Sequence, residues 1–199
     1  GWFGKCVLAA VAVAGGVVGV VIILISATAA KVAFVLPTGI ALWSLLVVLV
    51  MGPCQAAGEE YVFRGVLLQL FGSWSRRAAL PVVVTTLLFI GLHSYDVWGL
   101  VAVFFSGLAM ALITLRTGGL EAAIAIHVLN NIVWMGLGLF GATAAGGAVN
   151  GLLTQVLPTV AIYFVFWAVI EVMLRRYNLP TERPALAATD QLSGTDNRF

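Results

Sequence analysis

The stretch AGEEYVFRG, residues 57–65, sets two adjacent glutamates and an arginine within a window of six. Glu60 and Arg64 are spaced i, i+4, so on a helix they share a face and can pair. Glu59 projects about 100° away from Glu60 and has no base on its own helix to pair with. A buried ion pair that fixes a helix position accounts for Glu60 and Arg64 and leaves Glu59 unexplained. The two histidines of the chain lie downstream, His93 closing FIGLH and His127 opening HVLNN. The intervals are even, 34 residues from Glu59 to His93 and 34 from His93 to His127. Asn131 follows His127 by one helical turn, and Phe89 precedes His93 by one, where it can wall a pocket. A lone histidine on an apolar face is more often a satisfied core residue than a catalyst. Two Glu, two His, one Arg and one Asn are harder to dismiss in a chain of this composition. Carboxylate and imidazole groups can exchange protons with a reacting group. Two His and one Glu are also a recognised catalytic zinc set.

The surroundings of these residues are strongly apolar. Of 199 residues 62% are hydrophobic and 9% charged, and the mean hydropathy is +1.10. Soluble domains are about half apolar and a quarter charged, so the chain reads as an integral membrane protein. Its apolar runs are continuous rather than alternating, which selects helices over a barrel. The fold expected is all-α, a polytopic transmembrane helical bundle of about six spans. The spans are placed at about 6–28, 38–72, 78–95, 97–115, 119–140 and 152–175. Roughly 20 apolar residues cross the hydrocarbon core, so the first run reads as a real span. The second is too long for one upright span, and Gly52 and Pro53 interrupt it. It is expected to be one long kinked motif helix carrying EEYVFR in its second half. Asp96 marks a tight turn and 141–151 a small-residue loop. Residues 1–177 form the helical core, and 178–199 read as a flexible polar tail.

The net charge of +2 leaves no footprint for nucleic acid. Cys6 and Cys54 lie in apolar segments and read as small hydrophobes. Arg76, Arg77, Arg116, Arg175 and Arg176 all fall on one side of the membrane, together with the start of the chain. The positive-inside rule makes that side cytoplasmic, with Lys31 the one misplaced base.

Together, EEYVFR, FIGLH and HVLNN resemble the EExxxR, FxxxH and HxxxN motifs of the CAAX protease and bacteriocin-processing enzyme family, also called Abi. Each is weak alone; their order on three hydrophobic helices, within 38–140, makes the signal specific. The resemblance implies a multi-spanning intramembrane endopeptidase. In the family's eukaryotic branch the substrate is a prenylated CAAX protein cut on the cytoplasmic side. Prokaryotic relatives are implicated in peptide processing and bacteriocin immunity. Carried over residue by residue, Glu59 and His93 activate the water, and His127 and Asn131 stabilise the oxyanion. Glu60 and Arg64 hold the site together. This chain has one helix before the motif helix where family members usually have two or three. The expected partners are membrane lipid and a peptide or membrane-protein substrate, lipidated or not. The expected location is a bacterial cell membrane, with the cavity open to the cytoplasm and no cofactor.

Rival readings stand beside this one. A zinc protease would use Glu59, His93 and His127 as ligands, although neither histidine starts an HExxH. A serine type lacks a glycine two residues before Ser106, and an aspartyl type lacks a second intramembrane aspartate. A non-catalytic scaffold or immunity protein needs no turnover. A proton-coupled transporter usually shows internal repeats, and none is evident here.

Overall fold

The computed structural model describes residues 1–27, 31–33, 39–75, 77–139, 143–145 and 151–178. It is a helical membrane bundle. The helices are α1 (Trp2–Ala27), α2 (Gly39–Glu60), α3 (Leu68–Trp74), α4 (Ala79–Gly91), α5 (Val97–Thr117), α6 (Glu121–Leu139) and α7 (Leu157–Tyr177). Two π-helical stretches interleave with them, π1 (Tyr61–Leu67) and π2 (Leu152–Val156). Among the described residues, four segments are long and apolar enough to cross a membrane: Trp2–Ile23, Trp43–Trp74, Val97–Thr117 and Leu152–Tyr177. Two shorter apolar helices, Ala79–Gly91 and Glu121–Leu137, complete the set.

The second segment runs unbroken from α2 through π1 into α3. Pro53 lies inside α2, in keeping with the single long helix expected there. The departure from α geometry comes at Tyr61–Leu67, directly after the glutamate pair. Such π stretches occur within α-helices and are frequent at functional sites. The partner changes along with the geometry, since α2 packs on α6 whereas α3 packs on α4.

Local chemistry sets the other boundaries. Asp96 caps α5, its Oδ1 accepting from the Gly99 amide at 2.7 Å, a side-chain cap for an otherwise orphan donor. Gly118 ends α5 with φ 69°, and its N–H donates to the Thr114 carbonyl; glycine takes that left-handed turn without steric cost. Besides the helices there is a short antiparallel pairing, β1 (Lys31–Ala33) with β2 (Thr143–Ala145). This pairing was not among the expected elements. The loop expected at 141–151 is otherwise outside the described residues apart from Gly151, as is the tail from residue 179.

The core is contributed by α1, α5, α6 and α7, with Met110, Ile113, Ile126, Ile162 and Phe166 essentially inaccessible. Ala122, Ala123 and Ala125 are also buried on α6, small side chains that let helices approach closely where lipid offers no hydrophobic drive. Trp43, Leu46, Val47 and Val50 point outward on α2. At one end of the bundle Arg116 makes a bidentate pair with Glu171, at 2.9 and 2.7 Å. Arg175 adds a 3.3 Å contact to the same carboxylate. Lys5 sits 3.3 Å over the Tyr177 ring. These contacts tie the start of α1 to the ends of α5 and α7.

Candidate active site

Glu60 and Arg64 form the buried base of the site. Arg64 Nη1 donates to Glu60 Oε1 at 2.8 Å, and Nη2 donates to the Gly107 carbonyl at 2.9 Å. Both side chains are about fully buried, at 0% and 1% exposure. The guanidinium also lies 4.5 Å from the Phe89 ring centroid, within cation–π range. One arginine therefore joins three helical segments: π1, α4 and α5.

His127 reaches into this base from α6. Its Nδ1 is 2.7 Å from Glu60 Oε1. A carboxylate bonded to arginine can only accept, so Nδ1 carries the hydrogen. Nε2 is thereby turned toward Glu59, whose Oε2 is 3.6 Å away. Glu59 has a local partner that sequence reasoning missed: Gln55 Nε2 donates to its Oε1 at 3.0 Å. Glu59 Oε2, by contrast, is buried with no hydrogen-bond donor among the described residues.

His93 does not sit on a helix. It lies just past the end of α4, with its backbone N–H donating to the Ile90 carbonyl at 2.9 Å. Its Nδ1 is 2.8 Å from the Phe89 carbonyl. A carbonyl only accepts, so the hydrogen is on Nδ1, and in the neutral ring Nε2 is the acceptor. Phe89 holds both imidazoles, with ring centroids 4.7 Å from His93 and 5.8 Å from His127.

A cavity of about 450 Å³ is lined by Glu59, Phe89, His93, His127 and Asn131 together. Glu60 and Arg64 do not line it; they stand behind Glu59 and His127. Further polar lining comes from Gln55, Asn130, Gln155 and Tyr163. The π2 and α7 contributors, Gln155 and Tyr163, were invisible in sequence, because a lone Gln or Tyr in an apolar run announces nothing. Asn130 is occupied, accepting from Trp134 Nε1 at 3.1 Å. The wall also holds Tyr95, Val103 and Met135, so the space is mixed in character and suits a peptide better than a bare ion.

The lining residues come from the first half of α5, the later part of α6 and the first part of α7 with π2. That is the end of the bundle away from Arg116 and Arg175. The lining residues of α5 and α7 thus lie in the half of each helix away from its arginines. The loop arginines could be counted from sequence, but which half of each helix carries the lining could not.

Zinc ligation by Glu59, His93 and His127 fits this arrangement poorly. Among the described residues no group of three His, Cys, Asp or Glu side chains converges on a point that could hold a metal ion.

Gly107 is a positioning residue that the motifs do not contain. A Cβ there would lie 3.2 Å from Phe89 Cδ1 and 3.5 Å from Arg64 Nη2. Phe89 has little room to yield, being packed edge-on to Phe63 at 5.1 Å as well as to the histidines. We expect Gly107→Ala to cost about 1–3 kcal/mol through overpacking. Thermal unfolding in detergent checks this; an unchanged melting temperature would mean that Phe89 shifts freely.

Residues 38–133 match the family described as type II CAAX prenyl endopeptidase Rce1-like. This agrees with the family that the three motifs resemble. Among curated proteins, "Uncharacterized protein YyaK" of Bacillus subtilis (strain 168) is 30% identical over 98 residues. The aligned part is 46% of this chain and 33% of the relative, so the chain spans about one third of that protein's length. No solved structure matches the chain.

Proposed function

We propose, from the premise that residues 38–133 belong to the Rce1-like family, that this multi-pass membrane protein is a glutamate-dependent intramembrane endopeptidase. The observation that carries the reading is Glu59 Oε2, which has no hydrogen-bond donor among the described residues and only His127 Nε2 at 3.6 Å, in a cavity also lined by His93, His127 and Asn131. A carboxylate oxygen withdrawn from bulk water and free of donors is placed to take a proton from a water molecule. His93 Nε2, an acceptor in the tautomer that the Phe89 carbonyl selects, can hold the same water. As Glu59 takes one proton, the water oxygen bonds to the scissile carbonyl carbon and its oxygen becomes an oxyanion. Collapse re-forms the carbonyl and breaks the C–N bond. The proton passes from Glu59 or His93 to the leaving nitrogen, giving a carboxyl and an amine.

Two groups are proposed to hold the oxyanion. The Asn131 amide can donate with no change of state. His127 Nε2 can donate only when the ring carries both protons, because Nδ1–H is already given to Glu60. No Lewis acid is called on in this scheme. Substrates are peptides or membrane-protein segments reaching the cavity, lipidated or not, within a cell membrane.

The test is cleavage of a prenylated and an unprenylated peptide by the purified protein, before and after a strong zinc chelator. Activity is expected to survive chelation. Loss that returns stoichiometrically with zinc would turn Glu59, His93 and His127 into ligands. Asn131→Ala is expected to lower kcat on the order of a hundredfold, the cost of one oxyanion donor. An unchanged kcat would leave the oxyanion to His127 alone.

A further inference from the structure

The cavity and the basic residues occupy opposite ends of the same helices. Gly99, Val103 and Ser106 line the cavity from α5, and Thr159 and Tyr163 from α7. Gln155 Nε2 contacts Asp96 Oδ2 at 3.5 Å, so the start of α5 and the start of the π2–α7 segment share one end. The other end carries Lys5, Arg77, Arg116, Arg175 and Arg176, bound together by the Arg116–Glu171–Arg175 cluster and the Lys5–Tyr177 contact. Ser106, the α5 lining residue nearest that end, precedes Arg116 by ten residues, about 15 Å of helix. That is half of a hydrocarbon core about 30 Å thick. Exposed aromatic residues mark both interfaces, Trp74 and Tyr177 beside the bases and Tyr95 and Trp98 beside the cavity, as aromatic belts do. Lys31 is the one base among the described residues on the cavity end.

Basic residues flanking spans stay on the cytoplasmic side. We infer that the cavity opens from the mid-membrane toward the extracytoplasmic face, so that the substrate is an exported peptide or an extracytoplasmic segment of a membrane protein. The substrate class rests on the peptidase reading above, whereas the sidedness rests on charge and geometry alone. A prenylated cytoplasmic C-terminus would be on the wrong side for this cavity.

Site-directed thiol labelling separates the two. Cys54 is exposed and is first replaced by alanine; the parent protein with buried Cys6 serves as the blank. Single cysteines are then placed at Ser94 in the turn, at Met135 in the cavity wall and at Ala78 beside the basic end. A membrane-impermeant maleimide is applied to spheroplasts and to inverted vesicles of the expressing cell. Ser94→Cys and Met135→Cys are expected to label in spheroplasts, and Ala78→Cys in inverted vesicles. The reverse pattern overturns the inference, as does labelling of Met135→Cys from the inverted side alone. If Met135→Cys fails to accumulate, Asn130→Cys reads the same wall. In parallel, a quenched mixed-sequence peptide library that cannot cross the membrane is supplied to sealed right-side-out and inverted vesicles. Cleavage is expected in the first preparation, and cleavage confined to the second overturns the inference. No cleavage in either, with the labelling pattern as expected, removes the peptidase reading and leaves the orientation standing.

Discussion

Glu59→Gln is expected to lower peptide turnover by about 10²–10⁴-fold, the usual worth of a positioned general base. It is also expected to leave the protein folded. Glu59 is partly exposed, and its hydrogen-bond donor among the described residues is the Gln55 amide, which a glutamine carbonyl can still satisfy. The substitution removes basicity and little else. KM for a peptide should change far less than kcat, because the lost interaction develops with the transition state. A single-turnover assay on detergent-purified protein, paired with a melting curve, checks both halves. Unchanged turnover would remove Glu59 from the chemistry. If a cellular phenotype persisted in the variant without any cleavage, the non-catalytic scaffold reading would take its place.

The largest stability effect should come from Arg64. Arg64→Ala strips the Glu60 carboxylate of its cation and the Gly107 carbonyl of its donor, both inside the bundle. Removing one partner of a buried pair costs about 3–5 kcal/mol, chiefly for the charge left behind. Arg64→Lys should recover part of this, since one ammonium cannot present two in-plane donors to partners on separate helices. The informative variant is the pair. Glu60→Ala with Arg64→Ala should be less damaging than the sum of the single changes, because neither leaves an uncompensated ion. Strict additivity in a thermal or denaturant series would mean that the two side chains do not act as a unit.

Much of the architecture was legible because lipid imposes simple rules. Trp2–Ala27, Val97–Thr117 and Leu157–Tyr177 lie close to the apolar runs read for them, since a spanning helix must be continuous and apolar. The i, i+4 spacing of Glu60 and Arg64 gave their contact directly, as neighbours one turn apart meet whatever surrounds them. Contacts between helices were another matter. Spacing assigns a residue to a face but says nothing of depth or rotation, so the Glu60–His127 bond at 2.7 Å had no precursor in the sequence. Gly107 had a faint one, a glycine within FFSGLAM, which marks close approach without naming the neighbour. Pro53 does not split the long helix, as expected, because a membrane helix whose surroundings compensate can carry a proline internally. The π1 stretch was not foreseen, since Gly65, Val62 and Val66 are of types common in apolar membrane helices and do not by themselves mark a change of helical geometry.

That stretch has a consequence for register. Each α-helical residue turns the chain by about 100°, so widening a turn to i→i+5 bonding shifts the angular phase of all that follows. Residues through Glu60 keep the phase that addresses α6, and those from Leu68 take the phase that addresses α4. The long helix is thus two independently aimed faces on one rod, with the dial set between them. Deleting a single residue from Tyr61–Leu67 could restore unbroken α geometry, locally faultless, while aiming one of the two faces at the wrong neighbour. Length tolerance in this segment is therefore expected to be far lower than its plain apolar composition suggests.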